Sequence, residues 1–380
     1  MVEKYLTRLL VNYLILLLKN TPLTNPFSPA PIPPHFMYHR HINHLAQLFM
    51  SKLTAKQNIN AIVTAIKVEE ASLRARYPIL KWQNGIAMVI LLLSLCSFIG
   101  VAALYYVAAI PVWMCIILVA LITSIAHELE HDLLHKQYFS QRPFVRNFMM
   151  LSVWLMRPNT VNPWYRRKIH LHHHKVSGTS QDLEERLVGN GIQSPFLRAV
   201  VILDGLLGLL INSKRFSKEI RGFKFFRVFN AGAPLATAYF GILYGMIAYY
   251  ALQFVMPFTL PAWGAELLAV AEFLMVVLIV PNMIRSASLN LITSSMHYYG
   301  GVTNVLEQTH VITSRWFLPF QLFCFDFGRT HTIHHFVPNQ PFYIRQVISQ
   351  KIRPVMAKHG VRFDDLHSLR HANRYLAKGE

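Results

Sequence analysis

Charge is what this 380-residue chain has little of. Asp, Glu, Lys and Arg make up 14% of it, against about 25% in an average soluble protein. Apolar residues supply 53%, which excludes a pair of soluble domains and points to several membrane crossings. Lysine and arginine are absent from 85–134 and again from 230–284. The net charge of +19 would suit a nucleic-acid partner if it were spread evenly. It is confined instead to 1–84, 135–229 and 285–380, so those blocks are expected on the cytoplasmic side against anionic headgroups, with no nucleic acid bound. Cysteine is scarcer still. Cys96, Cys115 and Cys324 stand alone, which excludes a disulfide framework and any CxxC cluster.

What the cationic gaps contain is apolar sequence of spanning length. The first span runs from about 85 to 107, and a tight turn over 108–111 leads into the second. A further pair covers about 232–255 and 264–284, joined by PFTLPAW. The expected fold is therefore an all-α membrane protein, four transmembrane helices in two hairpins, with a cytoplasmic helical cap. Residues 1–36 read as an apolar segment, interfacial or dispensable, followed by a stiff proline-rich linker. Residues 37–84 read as a cytoplasmic or interfacial region, in which 57–76 carries Ile59, Ile62 and Ile66 on one side and Lys67, Glu70 and Arg74 on the other. The membrane domain covers 85–345 and a basic tail 346–380. The short apolar stretches 148–156 and 197–211 are placed at the interface. Glu266 and Glu272 fall in or near the fourth span, where a structural role is preferred to a functional one.

Histidine is the residue this chain has in excess, and it is clustered. HELEHDLLH places His127, His131 and His135 at i, i+4 and i+8, one above another on a helix that leaves the second span. His170, His173 and His174 form HxxHH, three rings on one helical face, and His331, His334 and His335 repeat it. His172 projects away from its neighbours. One such cluster is a polar surface turn as readily as a site, but three on one membrane side imply a metal. His297, at the end of the fourth span, mirrors His127 at the end of the second and joins them. Nitrogen ligands without thiolate suit a redox metal better than a structural zinc site. Glu128, Glu130, Asp132, Asp182 and Asp326 are candidates to orient the rings.

The set HxxxH, HxxHH, HxxHH at the ends of paired spans resembles the integral-membrane fatty acid desaturase and alkane hydroxylase superfamily, over roughly residues 85–345. HELEH resembles the first box of the alkane hydroxylases. HDLLH, followed by KQYF, is equally similar to that of bacterial acyl desaturases. HHKVSGTSQD, with Thr179 and Asp182, is similar to the alkane hydroxylases again. The resemblance implies a di-iron centre held by nine histidines drawn from His127, His131, His135, His170, His173, His174, His297, His331, His334 and His335, with His127 and His135 competing for the first box. No catalytic residue beyond those ligands is implied. Stearoyl-type relatives carry Asn four residues before the histidine matching His297, and Thr293 stands there in this chain, with Asn290 one turn further back.

The resemblance further implies dioxygen as co-substrate and a fatty acid or acyl chain entering from the bilayer, most simply for desaturation. Hydroxylation, or oxidative decarboxylation of a free fatty acid to a terminal alkene, arises from the same kind of centre. No HPGG motif and no ferredoxin-type cysteines are present, so electrons are expected from a separate ferredoxin-like or rubredoxin-like donor with its reductase. The expected location is the cell inner membrane, with both termini and the histidines cytoplasmic. HELEH also matches the HExxH motif of zinc proteases, which would leave the other clusters idle. A metal transporter or b-type cytochrome would want histidines in mid-membrane. Arg166, Arg167 and Lys168, just before the second box, suit either a negatively charged substrate head or lipid headgroups.

Overall fold

The computed structural model describes residues 34–376, with side chains from Thr54 onward; the N-terminal apolar segment and most of the proline-rich linker lie outside the described residues. Contacts divide the chain into Met1–Leu53 and Thr54–Glu380, and every side-chain contact described below belongs to the second unit. Among the described residues there is no strand, only isolated bridges at His297–Thr309 and Val311–Phe363.

Helix α1 covers Pro34–Arg76. Four helices are long and apolar enough to cross a membrane: α2 Gln83–Tyr106, α3 Val112–Leu134, α10 Leu235–Val255 and α11 Ala262–Met296. Between them lie α4 Pro143–Met156, α5 Pro163–Val176, α6 Leu183–Leu187, α7 Pro195–Leu203, α8 Gly205–Glu219 and α9 Phe225–Gly232; α12 Phe327–Phe336 and α13 Phe342–Lys358 follow. At about 1.5 Å per residue, α2 and α3 each exceed the ~30 Å of a bilayer's hydrocarbon core. α2 keeps Leu92, Leu93 and Ile99 on its outside, as a helix bathed in lipid should.

Small and branched side chains hold the spans together. Cys115 and Val119 of α3 meet Val277 of α11, with Phe98 and Val101 of α2 packed around them. Tyr239 and Leu243 of α10 pack on Ile279, and the Tyr239 hydroxyl donates to the Ile279 carbonyl at 3.0 Å. Ile279 ends a π-helical turn, Met275–Ile279, just before Pro281, a residue with no N–H to continue the ladder. Fourteen residues are too few to cross, and α4 instead buries Met149, Met150 and Val153 against Leu91 of α2 and Leu129 of α3. The apolar run 197–211 breaks at Asp204, whose carboxylate accepts from Leu206 and Leu207 N–H at 2.9 Å and starts α8.

Two expectations change. The apolar side of α1 is taken up by protein: Ile62 and Ile66 are fully buried with Ile333, Ile344, Ile348 and Ile352. Arg285, counted as the first cation of the third block, sits inside α11 and is 1% exposed. Glu272 faces outward and accepts from Tyr250 at 2.5 Å, and Glu266 is exposed.

Candidate metal centre

Four elements deliver the histidines. α3 ends in His127 and His131, both buried, and His135 caps it. α5 starts at Pro163 under an Asn162 cap that accepts from Tyr165 N–H at 2.8 Å, so its next turns carry His170, His173 and His174 inward. His172 is exposed. α12 begins after Asp326, held in the left-handed region at φ 57°, and buries His331, His334 and His335. His297 closes α11 and is tied to Thr309 by a bridge.

These side chains form two groups. Ring nitrogens of His131, His135, His170 and His334 all lie within 4.8 Å of one another, and so do those of His173, His297, His331 and His335. His174 joins the first group, its Nε2 being 2.9 Å from His334 Nε2 and 3.3 Å from His170 Nε2. His127 is set apart from both. Its Nε2 is 3.1 Å from Nη2 of Arg166, a donor that occupies the lone pair a metal would need.

The arrangement fits cations. Nδ1 of His170 is 2.8 Å from Glu184, Nδ1 of His173 2.8 Å from Asp182, and Nδ1 of His335 2.9 Å from Gln308 Oε1. Nδ1 of His297 lies 2.9 Å from the Thr293 carbonyl. The rings of His170, His297 and His335 spend their proton outward, so their Nε2 lone pairs point inward, where Nε2 atoms approach one another to 2.9–3.3 Å. Lone pairs meeting in a buried space need a shared positive charge. His131 Nε2, buried without any hydrogen-bond partner among the described residues, adds another. Burial first, then neighbouring positive charge, brings His135 down to about 2 and lowers His170, His174, His331, His334 and His335 as well. Neutral rings are the form that ligates. At His173 burial also pulls downward, but the Asp182 carboxylate outweighs it and lifts the ring to about 10; a metal there must displace that proton.

The carboxylates divide differently from the sequence reading. Asp182 does orient a ring. Glu130 instead binds Arg157 and, at 2.5 Å, Arg166. Asp132 accepts from Tyr138 and the Phe342 N–H at 2.7 Å and sits 3.2 Å from Arg345, which also reaches Glu128 at 3.3 Å. Asp326 pairs with Arg329 at 3.3 Å. Glu184 and Gln308 were missed. Glu184 shares the QDLEE segment with Asp182, which was signal enough; Gln308 had none. Thr293 donates to Glu185 at 3.0 Å and lies 3.1 Å from His297 Nδ1, while Asn290 donates to the Ile202 carbonyl at 3.1 Å.

A cavity of about 420 Å³ opens beside the groups, touching His131, His170, His173 and His331 on one side and Phe240 and Leu243 of α10 on the other. A family model described as fatty acid desaturase matches residues 108–367, a stretch that contains all ten of these histidines. No curated protein matches the chain.

Proposed function

From the premise that the chain belongs to the fatty acid desaturase family, we propose that it is an O2-dependent, di-iron fatty acid desaturase of the cell inner membrane. The observation that carries this is the pair of histidine groups with inward lone pairs. His131, His135, His170, His174 and His334 would hold one iron, and His173, His297, His331 and His335 the other. Nine neutral imidazoles would leave such a centre strongly positive. Asp182 and Glu184 offset part of that and fix which nitrogen faces the metal. Bound iron supplies the redox chemistry that activates dioxygen for removing hydrogen from an unactivated acyl carbon.

The chain's own residues do the rest. α3, α5, α11 and α12 hold the rings so that little reorganises on metal binding. The apolar cavity wall, with Leu209, Phe240 and Leu243, suits an acyl chain and keeps water from it. The four spans are read as two hairpins, α2–α3 and α10–α11, which put the histidine-bearing cap on the cytoplasmic side with both termini. The cation-free spans and the basic segments outside them support that orientation. Electrons come from a separate ferredoxin-like or rubredoxin-like donor, since the three cysteines are isolated.

The test is iron content of the purified protein together with mass spectrometry of lipids and headspace from expressing cells fed dodecanoic acid. Two irons per chain and a new double bond in a retained acyl chain are the expected results. A hydroxy acid or a volatile alkene one carbon shorter would reassign the reaction, and an iron-free protein without product would overturn the reading.

A further inference from the structure

The wall of the cavity carries three arginines, Arg157, Arg166 and Arg285, and three carboxylates, Glu184, Glu185 and Asp204. What sets it apart is one buried guanidinium, that of Arg285, with no carboxylate partner among the described residues. Arg157 and Arg285 are each 1% exposed, and both line the cavity with the partly buried Arg166. Glu130, which is not part of that wall, is shared by Arg157 and Arg166. Glu184 lies 3.7 Å from Arg166 but 2.8 Å from His170 Nδ1, where it holds a ring. Glu185 is engaged by Thr293. Asp204 accepts from Tyr244 at 2.5 Å and from two backbone N–H groups. None of these carboxylates forms an ion pair with Arg285 among the described residues. Its side-chain contacts are neutral: Asn282 Oδ1 at 3.2 Å and Asn159 Oδ1 at 3.1 Å. Its Nη1, and the Nε and Nη2 of Arg157, have no hydrogen-bond partner among the described residues.

A guanidinium keeps its charge even when buried, and a buried charge without a counterion is strongly unfavourable. Within a spanning helix such a residue marks a ligand site. The missing charge is one anion with oxygen acceptors in a plane, the geometry a guanidinium fork takes. Beyond the arginines the same cavity is apolar, with Leu206, Leu209, Phe229, Phe240, Leu243 and Leu289. A polar end with an unpaired buried guanidinium and an apolar remainder describe the complement of an ionised carboxylate on a hydrocarbon tail. We infer that this enzyme takes its substrate as the free fatty acid, the carboxylate held at Arg285 and Arg157 inside the cavity, rather than as a thioester or a lipid-bound chain. This rests on the acyl-chain reading above and deepens it. A thioester or glycerolipid brings an uncharged carbonyl to that place and a bulky head that the cavity must also admit.

The experiment measures binding without turnover, on full-length iron-loaded protein in nanodiscs, anaerobic and without reductant, at pH 8. Radiolabelled dodecanoate is competed with unlabelled dodecanoate, methyl dodecanoate and dodecanol. The acid is expected to bind roughly tenfold or more tightly than either neutral analogue. Arg285→Met removes that preference and leaves methyl dodecanoate binding unchanged, which also shows that the cavity is intact; Arg285→Lys restores part of it. Equal binding of acid and ester by the unaltered protein overturns the head-group assignment and leaves the acyl-chain reading standing. Equal weakening of acid and ester in Arg285→Met overturns it too. Failure of all three ligands to bind overturns both readings.

Discussion

Nδ1 of His173 stands 2.8 Å from Oδ2 of Asp182, and Oδ1 of the same carboxylate faces the Glu185 N–H at 3.4 Å. One side chain thus aims a ring and starts a helix. Asp182→Asn keeps the cap and its fold but replaces the charge that orients and polarises His173. Iron affinity is expected to fall about 10- to 100-fold, measured as iron retained against a graded chelator, with circular dichroism unchanged. Retention equal to the unaltered protein would show that His173 needs no carboxylate.

The packing of α1 on α12 and α13 gives a stability prediction. Ile66 is fully buried in the cluster with Ile333 and Ile344. Truncation removes buried methyls and leaves a cavity, so Ile66→Ala should cost about 2–5 kcal/mol in detergent unfolding. Ile99→Ala, on the outer face of α2 and 63% exposed, is the control and should change little. Equal effects would mean that α1 does not pack there in solution.

The spans and the histidines were both legible in the sequence because each is a local pattern. Twenty apolar residues without a cation, or three histidines at helical spacing, declare themselves within one element. What the sequence left open depended on contacts between elements. His127 and His135 flank His131 symmetrically in HELEHDLLH, and only the approach of Arg166 from α5 and His170 from α5 separates them. Arg285 counts with the third basic block because it follows a long cation-free run; inside α11 it meets Asn159 and Asn282, contacts between elements that no local pattern displays. The Glu130 carboxylate looked like a ring partner by proximity in sequence, yet its side chain reaches Arg157, 27 residues away.

Acid should destabilise the metal-free protein. His135, His170, His174, His331, His334 and His335 have folded values below the ordinary one, so below about pH 6.5 the unfolded chain binds more protons than the folded one. Stability then falls as pH falls, continuing toward about 2 for His135. His173, raised to about 10, acts the other way above that range, where only the folded ring is protonated and a falling pH favours folding; well below about pH 6.5 it is protonated in both states and adds no slope. Melting temperature measured from about pH 6.5 down to about pH 5 should drop monotonically, and bound metal, which displaces the proton of His173, should steepen the drop. A flat profile would mean that these rings are hydrated and free to protonate in the folded state.

The two candidates for the first box can be separated by counting iron. His135 Nε2 lies 2.9 Å from His170 Nε2 and its ring centroid is 4.6 Å from that of His334, so its imidazole belongs to the first group. His127 faces Arg166 and stacks obliquely near Phe327 at 5.7 Å. His135→Ala should lose iron from the first group and bring the protein from two irons per chain toward one. His127→Gln keeps an acceptor for Arg166 and should retain both. The opposite pattern, with iron lost in His127→Gln and kept in His135→Ala, would place the first box one turn earlier and require Arg166 to swing away when metal binds.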